Sequence, residues 1–456
     1  MDNELTALGI IFTEFYYWLT VVIMFFIHVG FCMYEVGVSR HKNHMHTLMK
    51  NTMLIPLVTI TFFFFGWWIY FAFPNGPGIT GPLLGGDDTA HAVPWSELMG
   101  AHMGGAGDPG GWARINGVFW AAFLLFSWTA ASIVSGSVIE RIKSGAFWIL
   151  AVGIGSVWWI IDAAWGWHSA GWMVQKLGYH DAYASGVIHA IAGGYALGIL
   201  FVLGPRIGKF TADGTPRNIN PRNPWLVTLG LFLIYTGFWG FYVACNVPMW
   251  DVQSGDGVFF SATNIYLAPT TLSAITMNFL MSLAGGLLMG YIVSRGDAFW
   301  TYSSGLAGII AASAGNDLYH PIQAMLIAAV GVWFMYKMHY WVERTFKIDD
   351  AVGAVAVHGY AGFFGVVIAG FMLWGYPSSP DASFALISPW GQFVGALIMF
   401  GLLGFLPGWI TALIINGFGA LRIPREIELA GLDVGAEHDR AKDEQGIIDA
   451  EQQEVG

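Results

Sequence analysis

The sequence predicts an all-α integral membrane protein that crosses the bilayer eleven times. The first observation is composition: of 456 residues, 55% are apolar and only 11% are charged, whereas soluble chains carry about 25% charged residues. The second is that apolar segments of about 20 residues recur, which is the length needed to cross a hydrocarbon core of about 30 Å. The third is that Lys and Arg concentrate in alternate connections between these segments.

Eleven apolar segments are candidates for spanning helices. The eighth, with the sequence SSGLAGIIAASAG, is short and rich in Gly and Ala, and its small residues suit close packing against other helices. The N-terminus, MDNELTALGI, lacks the cationic region of a secretory signal peptide, so the first helix is expected in the mature protein. The predicted spans are 7–35, 47–73, 113–138, 145–166, 182–204, 224–246, 262–293, 300–315, 320–340, 351–375 and 390–420.

The connections on the two sides of the predicted bundle differ in charge. All Lys and Arg residues except Arg114 and Lys176 fall in or beside the connections on one side, or in the tail. Cytoplasmic connections carry an excess of Lys and Arg, so we expect the N-terminus outside and the C-terminus in the cytoplasm. Missing one helix would scramble this alternation, which supports the count of eleven.

The chain divides into two predicted parts. Residues 1–422 form a transmembrane domain, and residues 423–456 form a cytoplasmic tail that is acidic on balance. The net charge of −11 gives no support to nucleic-acid binding. Cys32 and Cys245 fall in apolar segments, where they read as small buried side chains and not as a disulfide. The outer connection 74–112, rich in Gly, Pro, Asp and His, is predicted to be an irregular cap.

Two histidines interrupt apolar segments in opposite halves of the chain. His189 lies in VIHAIAG and His358 in AVHGYAG, so each begins the pattern His-x-x-Ala-Gly. An ionisable group inside a spanning helix is costly and indicates a functional site, and matching sites in two halves are typical of an inverted repeat. The run GFCMYEVG at 30–37, echoed by GFWGFYVAC at 237–245, supports such a repeat. We expect five helices, five more of opposite topology, and an eleventh.

The residues around these histidines leave alternatives open. Two facing neutral imidazoles can share a proton and accept a hydrogen bond from a small polar solute, or they can simply bond neighbouring helices. Asp181, in the first turn of the fifth helix, can cap backbone N–H groups or stabilise an approaching cation. The tryptophans of 158–172 fit an interfacial belt, or a vestibule that holds a cation over an indole ring.

The sequence gives little support to a metal site or a cofactor at the two histidines. An intramembrane metal site would need carboxylate or thiolate company for the two histidines, and the sequence offers no such cluster. Haem held between two facing histidines would need a flat cavity between helices. We therefore predict neither a cofactor nor an enzyme.

Six motifs follow one another in register along nearly the whole chain. They are VGVSRHKNHMHTLMKN at 36–51, SGSVIERIK at 135–143, Asp181 and His189 with seven residues between them, GPRIGKF at 204–210, IDD at 348–350 followed by VHG at 357–359, and IELAGLDVGAEHDR in the tail. In this combination the chain resembles the ammonium transporter/methylammonium permease/Rhesus (Amt/Mep/Rh) family. The resemblance implies a homotrimer with one pore per subunit. Many prokaryotic members bind a PII-type signalling protein, which makes that protein a candidate partner.

The resemblance also implies a mechanism and the residues that perform it. Ammonium would be held outside a gate, lose its proton or much of its hydration, and pass the histidines as a neutral amine. The residues carried over are the twin histidines His189 and His358, the stacked phenylalanine gate Phe126 and Phe241, and the outer residues Trp167 (or Trp165) and Asp181.

The outer site departs from the family pattern. Cys245 stands where a serine is usual, Tyr242 where an asparagine follows the gate, and WHSAGW places His168 where a glycine run is usual. Gly353 replaces an aspartate that is often found five residues before the second histidine. A thiol is a poorer hydrogen-bond partner than a hydroxyl, so we interpret the recruitment site as rebuilt while the pore core is retained.

We therefore expect an ammonium transporter that conducts NH4+/NH3 across the cytoplasmic membrane through a hydrophobic pore lined by the twin histidines. The first alternative is a transporter or binding receptor for a methylated amine, because an aromatic cage suits a cation with few N–H donors. The second alternative is an ammonium sensor. We expect a sensor to need a partner protein, because no kinase or receiver domain follows the membrane part.

Overall fold

Long apolar helices make up most of the fold. The computed structural model describes residues 2–76, 112–251, 257–262, 268–379 and 381–434. Within these residues, ten helices are long and apolar enough to cross a membrane. Most of the predicted cap at 74–112 and the tail beyond 434 lie outside the described residues. The ten long helices and one shorter helix, α8, are in chain order α1 Ala7–Val38, α2 His41–Ala72, α3 Gly117–Ser137, α4 Ser144–Gly166, α5 Ser185–Leu203, α6 Pro224–Ala244, α7 Leu272–Ser294, α8 Ala298–Ala312, α9 Pro321–Phe346, α10 Val355–Met372 and α11 Pro389–Gly417.

Helix α8 is short but lies inside the bundle. Its 15 residues rise about 22 Å, and the 3₁₀ turn Ser313–Gly315 extends it. Asp297 caps its start by accepting a hydrogen bond from the N–H of Trp300 at 2.9 Å. Every residue from Ser303 to Ala312 is buried. The helix therefore falls where the sequence predicts it, at 300–315.

The prediction of the seventh helix at 262–293 is wrong at its N-terminal end. Helix α7 begins at Leu272, where the Thr271 hydroxyl accepts a hydrogen bond from the N–H of Ala274 at 3.1 Å. Pro269 would stand in the interior of the longer helix, where it removes a hydrogen bond and clashes with the preceding turn. The residues before α7 instead form an antiparallel three-stranded sheet, so the fold is not purely α-helical. Its strands, in spatial order, are β1 Asn246–Asp251, β2 Gly257–Ala262 and β3 Ala268–Thr270.

Helices α1 and α6 pack against each other reciprocally. A Cβ on Gly30 would meet Ile234, and a Cβ on Gly237 would meet Ile27. Each glycine stands three residues after the isoleucine of its own helix, so the two contacts are related by a local twofold axis. Gly30 and Gly237 begin the two echoing runs of the sequence, and the inverted repeat predicts this kind of symmetric contact.

The first residues after α11 pack beneath the bundle. A short helix, Arg425–Ala430, follows α11. Glu428 in it pairs with Arg422 at 2.8 Å, and the Asp433 carboxylate accepts hydrogen bonds from the N–H groups of Met45 (2.8 Å) and His46 (2.9 Å). The beginning of the predicted tail is therefore docked against the end of the bundle where α2 starts.

Candidate functional site

The two histidines lie on helices that cross closely. Wide π-helical turns, Ser185–Ala190 and Val355–Tyr360, open α5 and α10. A Cβ on Gly193 would meet the backbone of Gly359 in α10. A Cβ on Gly362 would meet the backbone of the turn Ser185–Ala190 in α5. Gly193 and Gly362 are the last residues of the two His-x-x-Ala-Gly patterns. The repeated glycine lets the helices approach, and the approach brings the two histidines together.

His189 and His358 face each other in the interior. Their Nδ1 atoms are 3.0 Å apart, and their rings are inclined by 26° with centroids 5.1 Å apart. One Nδ1 donates and the other accepts, so in a neutral pair one ring presents an N–H at Nε2 and the other a lone pair. His189 Nε2 has no hydrogen-bond partner in the described part of the chain. The pair can therefore both donate a hydrogen bond to a small solute and accept one from it.

A row of aromatic rings leads to the histidines. Trp167 contacts Phe126 with ring centroids 5.6 Å apart, Phe126 contacts Phe241 at 4.7 Å, and Phe241 contacts His189 at 5.7 Å. The two phenylalanines meet edge to face, at 75°, and not stacked as the resemblance implies. Phe241 stacks instead on Phe238, at 4.8 Å and 9°. The predicted gate residues thus contact each other, and Phe241 also contacts His189.

The outer end of this row is held by hydrogen bonds to the backbone. Trp167 donates from Nε1 to the carbonyl oxygen of Asp181 at 2.6 Å, and Tyr70 donates its hydroxyl to the carbonyl oxygen of Trp167 at 2.5 Å. His168 packs edge-on against Tyr70 at 4.9 Å. Burial lowers the pKa of His168 to about 4. The imidazole beside Trp167 is therefore neutral near pH 7.

The Asp181 carboxylate caps the turn that carries His189. Its Oδ1 accepts a hydrogen bond from the N–H of Ser185 at 2.7 Å. Its Oδ2 accepts from the N–H groups of Gly186 (2.7 Å) and Val187 (2.9 Å) and from the Tyr179 hydroxyl (3.0 Å). The carboxylate thus satisfies N–H groups that every helix start leaves without partners. The Asp181 carboxylate therefore fixes the turn that carries His189.

Asp350 is a site residue that the sequence reading missed. It lies eight residues before the second histidine, as Asp181 lies eight residues before the first. Its carboxylate accepts hydrogen bonds from the N–H of Ala356 (3.2 Å) and the hydroxyl of Ser137 (3.0 Å). Burial raises the pKa of Asp350 to about 6. The spacing Asp-(seven residues)-His occurs twice, and this signal could have found it.

Gly353 has a backbone role that accounts for its departure from the family pattern. Its φ is +69°, and Ala184, at the matching place in the other half, has a φ of +71°. Each follows its capping aspartate by three residues. The left-handed conformation costs a residue with a Cβ about 1–2 kcal/mol, and glycine avoids that cost. The two halves therefore share the sequence of cap, left-handed residue and histidine turn.

Tyr242 and Cys245 lie at the end of α6. The Tyr242 ring stacks on Tyr183 with centroids 4.2 Å apart. Its hydroxyl lies 2.6 Å from the Ser313 hydroxyl and accepts a hydrogen bond from Asn316 Nδ2 at 3.1 Å. Cys245 is buried at the C-terminal cap of the helix. The Tyr242 hydroxyl is thus engaged between α6 and the end of α8, a contact that sequence spacing alone does not reveal.

The fold and this interior define a multi-pass membrane protein whose helix bundle encloses a row of aromatic rings ending in a histidine pair. A family model described as the Ammonium Transporter Family matches residues 14–442. The chain belongs to the ammonium transporter family, and the resemblance in its motifs is confirmed. This is a family of transporters, which points away from an enzyme.

Relatives and solved structures agree with this assignment. The chain is 30% identical to ammonium transporter Amt1 of Methanocaldococcus jannaschii, over 92% of this chain and 94% of that protein. It is 28% identical to ammonium transporter Amt2 of Archaeoglobus fulgidus, over 91% and 85%. Its fold is similar to a structure named Sensor Amt Protein, with a TM-score of 0.75, 23% identity and coverage of 95% and 99%. Candida albicans Mep2 gives a TM-score of 0.68 with 17% identity, covering 91% and 86%.

Proposed function

We propose that this protein conducts ammonium across the cytoplasmic membrane as NH4+/NH3. The observation that carries the proposal is the hydrogen-bonded pair of His189 and His358 at the end of the row of aromatic rings. A desolvated cation over an indole face is attracted by about 2 kcal/mol, so Trp167 holds ammonium at the outer end. The constriction of Phe126 and Phe241 strips water. The cation passes a proton to the lone pair that the histidine pair offers, and a neutral amine crosses the histidines. The proton crosses separately along the pair, so that one charge moves with each amine.

The histidine pair suits a neutral amine better than a cation. Ammonia both donates and accepts hydrogen bonds, and the pair offers one lone pair and one N–H at its two Nε2 atoms. An ion such as K+ offers no N–H donor and would have to leave its hydration shell in a ring-lined, low-dielectric passage, which is expensive. Selection against metal cations follows from this difference.

We further propose the topology and assembly that the sequence predicts: eleven spanning helices with α8 among them, the N-terminus outside, the C-terminus in the cytoplasm, and a homotrimer with one pore in each subunit. The Lys and Arg distribution supports the orientation. Large apolar side chains on the outside of α1, among them Trp18 and Phe15, are exposed and suit contact with lipid or a neighbouring subunit. A PII-type signalling protein is the proposed cytoplasmic partner.

A methylated amine is the second candidate substrate. The Asp181 carboxylate and the Tyr242 hydroxyl, which could serve the N–H groups of ammonium, are both engaged in capping and interhelical hydrogen bonds. What remains beside Trp167 is chiefly aromatic. An aromatic cage holds a cation with few N–H donors as well as one with four.

Solid-supported-membrane electrophysiology on proteoliposomes tests the proposal. Pulses of ammonium, methylammonium and trimethylammonium are applied to the wild type, to His189→Ala and to His41→Ala, which removes an exposed histidine outside the pathway. We expect an ammonium current that His41→Ala keeps and His189→Ala loses at least tenfold. Current with the methylated compounds alone would move the function to substituted amines. Silence of the wild type to all three, with ammonium still bound, would favour the sensor; equal currents in both variants would refute the histidine pathway.

A further inference from the structure

A second polar group lies beyond the histidine pair, on the side away from the phenylalanines. Gly240, next to the gate residue Phe241, packs against Thr20 of α1, so Thr20 lies at the level of the gate. Further along α1, Phe31 contacts His358 with ring centroids 6.1 Å apart. Glu35 follows Phe31 by one turn. Fifteen residues of helix separate Glu35 from the level of the gate, or about 22 Å.

Glu35 lines a small cavity that also reaches His358. Phe31, Tyr34, Ser132 and Gly136 are among the other lining residues. The space open to the centre of a water-sized molecule is about 10 Å³, which is the room that one water molecule takes. An ammonium ion has nearly the same size. The cavity therefore has room for one small polar species next to the histidine pair.

The Glu35 carboxylate has one satisfied oxygen and one that lacks a donor. Oε2 accepts hydrogen bonds from Asn51 Nδ2 (2.9 Å) and the Ser135 hydroxyl (2.7 Å), with Lys50 Nζ at 3.5 Å. Oε1 is buried and has no hydrogen-bond partner within the described residues, and the Glu35 side chain is 0% exposed. A buried charged oxygen without a donor is costly. Oε1 can therefore accept a hydrogen bond from a small donor.

Gly136 lies against the Glu35 carboxyl group. A Cβ built on Gly136 would lie 3.6 Å from Glu35 Oε1 and would overlap Val352 Cγ2. A side chain at this position would therefore displace Val352 and crowd Oε1. Lys50 is held separately, by a hydrogen bond to the carbonyl oxygen of Ser135 at 2.7 Å, and it keeps the carboxylate in place from the opposite oxygen.

We propose that Glu35 Oε1 and the cavity that Glu35 and His358 line form an inner binding site for the ammonium ion, reached after the histidine pair. The inference rests on the proposed function, which brings the amine and its proton to this side of the histidines, where they recombine to ammonium. A carboxylate oxygen without a donor is matched by an N–H donor, a charge-assisted hydrogen bond is the strongest kind available, and only a water-sized donor fits. Water is the competing occupant, and the test separates the two.

Two variants and a control probe the site in the full-length protein. Glu35→Gln removes the carboxylate. Gly136→Ala crowds Oε1 and displaces Val352 but removes neither Glu35 nor Lys50, so it tests the site even if Glu35→Gln does not fold. Gly331→Ala is the matched control, because its methyl group would likewise overlap a side-chain atom, Ala311 Cβ, and neither residue lines the cavity. The readouts are the ammonium-minus-sodium infrared difference spectrum in the carboxylate stretching region and the ammonium current.

We expect a carboxylate band that changes with ammonium in the wild type and in Gly331→Ala. The change should be absent in Glu35→Gln and should need at least tenfold more ammonium in Gly136→Ala, with the current falling in parallel. Spectra and currents unchanged in both site variants would overturn the inner site while the proposed function stands. A wild-type difference spectrum without a carboxylate band, at a normal ammonium current, would identify water as the occupant and also overturn the inner site. A band change without any wild-type current would sustain the site and refute conduction.

Discussion

Asp350 precedes α10 as Asp181 precedes α5. Each carboxylate lies eight residues before a histidine of the pair and accepts hydrogen bonds from backbone N–H groups of the turn that carries it. Hydrogen bonds to an ionised acceptor are about twice as strong as neutral ones. The relative placement of the two imidazoles therefore depends on two buried caps, one at each end of the bundle.

Asp181→Ala should destabilise the protein strongly. The substitution leaves three buried N–H groups without an acceptor, and each such group costs about 1–3 kcal/mol. Asp181→Asn keeps one acceptor oxygen, so its loss should be smaller. The measurement is the free energy of unfolding of the solubilised protein. Asp381→Ala, which removes an exposed carboxylate that also caps a turn, is the control. Equal stability of Asp181→Ala and this control would contradict the capping role.

Asp350 should make stability fall as pH rises from about 4 to about 6. The pKa of its carboxyl is about 6 in the folded protein because of burial, against about 3.9 in an unfolded chain. Between these two pH values the folded state binds more protons than the unfolded chain. The stability that the bound proton contributes is therefore lost as the pH rises through the folded pKa. The two-unit difference corresponds to about 3 kcal/mol.

Asp350→Asn tests this by removing the titration while keeping an acceptor oxygen. Its stability relative to wild type should improve by about 2 kcal/mol between pH 4.5 and pH 7.5, the part of the total that lies above pH 4.5. His339 Nδ1 lies 4.0 Å from Asp350 Oδ2, so the comparison measures the titration of Asp350 together with its contact with His339. Asp381→Asn in the exposed loop should show no such gain. A constant difference between Asp350→Asn and wild type at all pH values would mean that Asp350 does not titrate in this window.

The histidine pair could be predicted from sequence because two independent signals recur together. His189 and His358 are costly inside apolar helices, and each is followed four residues later by a glycine that a helix crossing needs. Helix α8 was also predictable, since small residues mark a helix buried among others. Both features follow from local pattern alone.

Features that depend on a third element could not be predicted in this way. The angle between Phe126 and Phe241 is set by Phe238, which stacks on Phe241. The Tyr242 hydroxyl points to Ser313 because α6 meets the end of α8 there. The start of α7 was misplaced because an apolar run fits a strand as well as a helix.

Gly193→Ala should disturb the crossing of α5 and α10. The added methyl group would meet the backbone of Gly359, which cannot move aside as a side chain can. Overpacking of this kind costs about 1–3 kcal/mol. We expect lower stability and a reduced ammonium current. Gly417→Ala, at a position with no atom within 4 Å, should leave both unchanged. A Gly193→Ala protein as stable and active as Gly417→Ala would show that close approach at this crossing is dispensable.

Tyr242→Phe separates a structural role of this residue from a role in substrate recruitment. The hydroxyl is engaged with Ser313 and Asn316, so its removal should cost about 1–3 kcal/mol of stability because partners are left unsatisfied. The half-saturating ammonium concentration of the current should stay within about twofold. Ser313→Ala should lower stability similarly, and the double variant should lose less than the sum, since the two groups share one hydrogen bond. A tenfold rise in half-saturating ammonium at unchanged stability would instead place the Tyr242 hydroxyl in contact with the permeating amine.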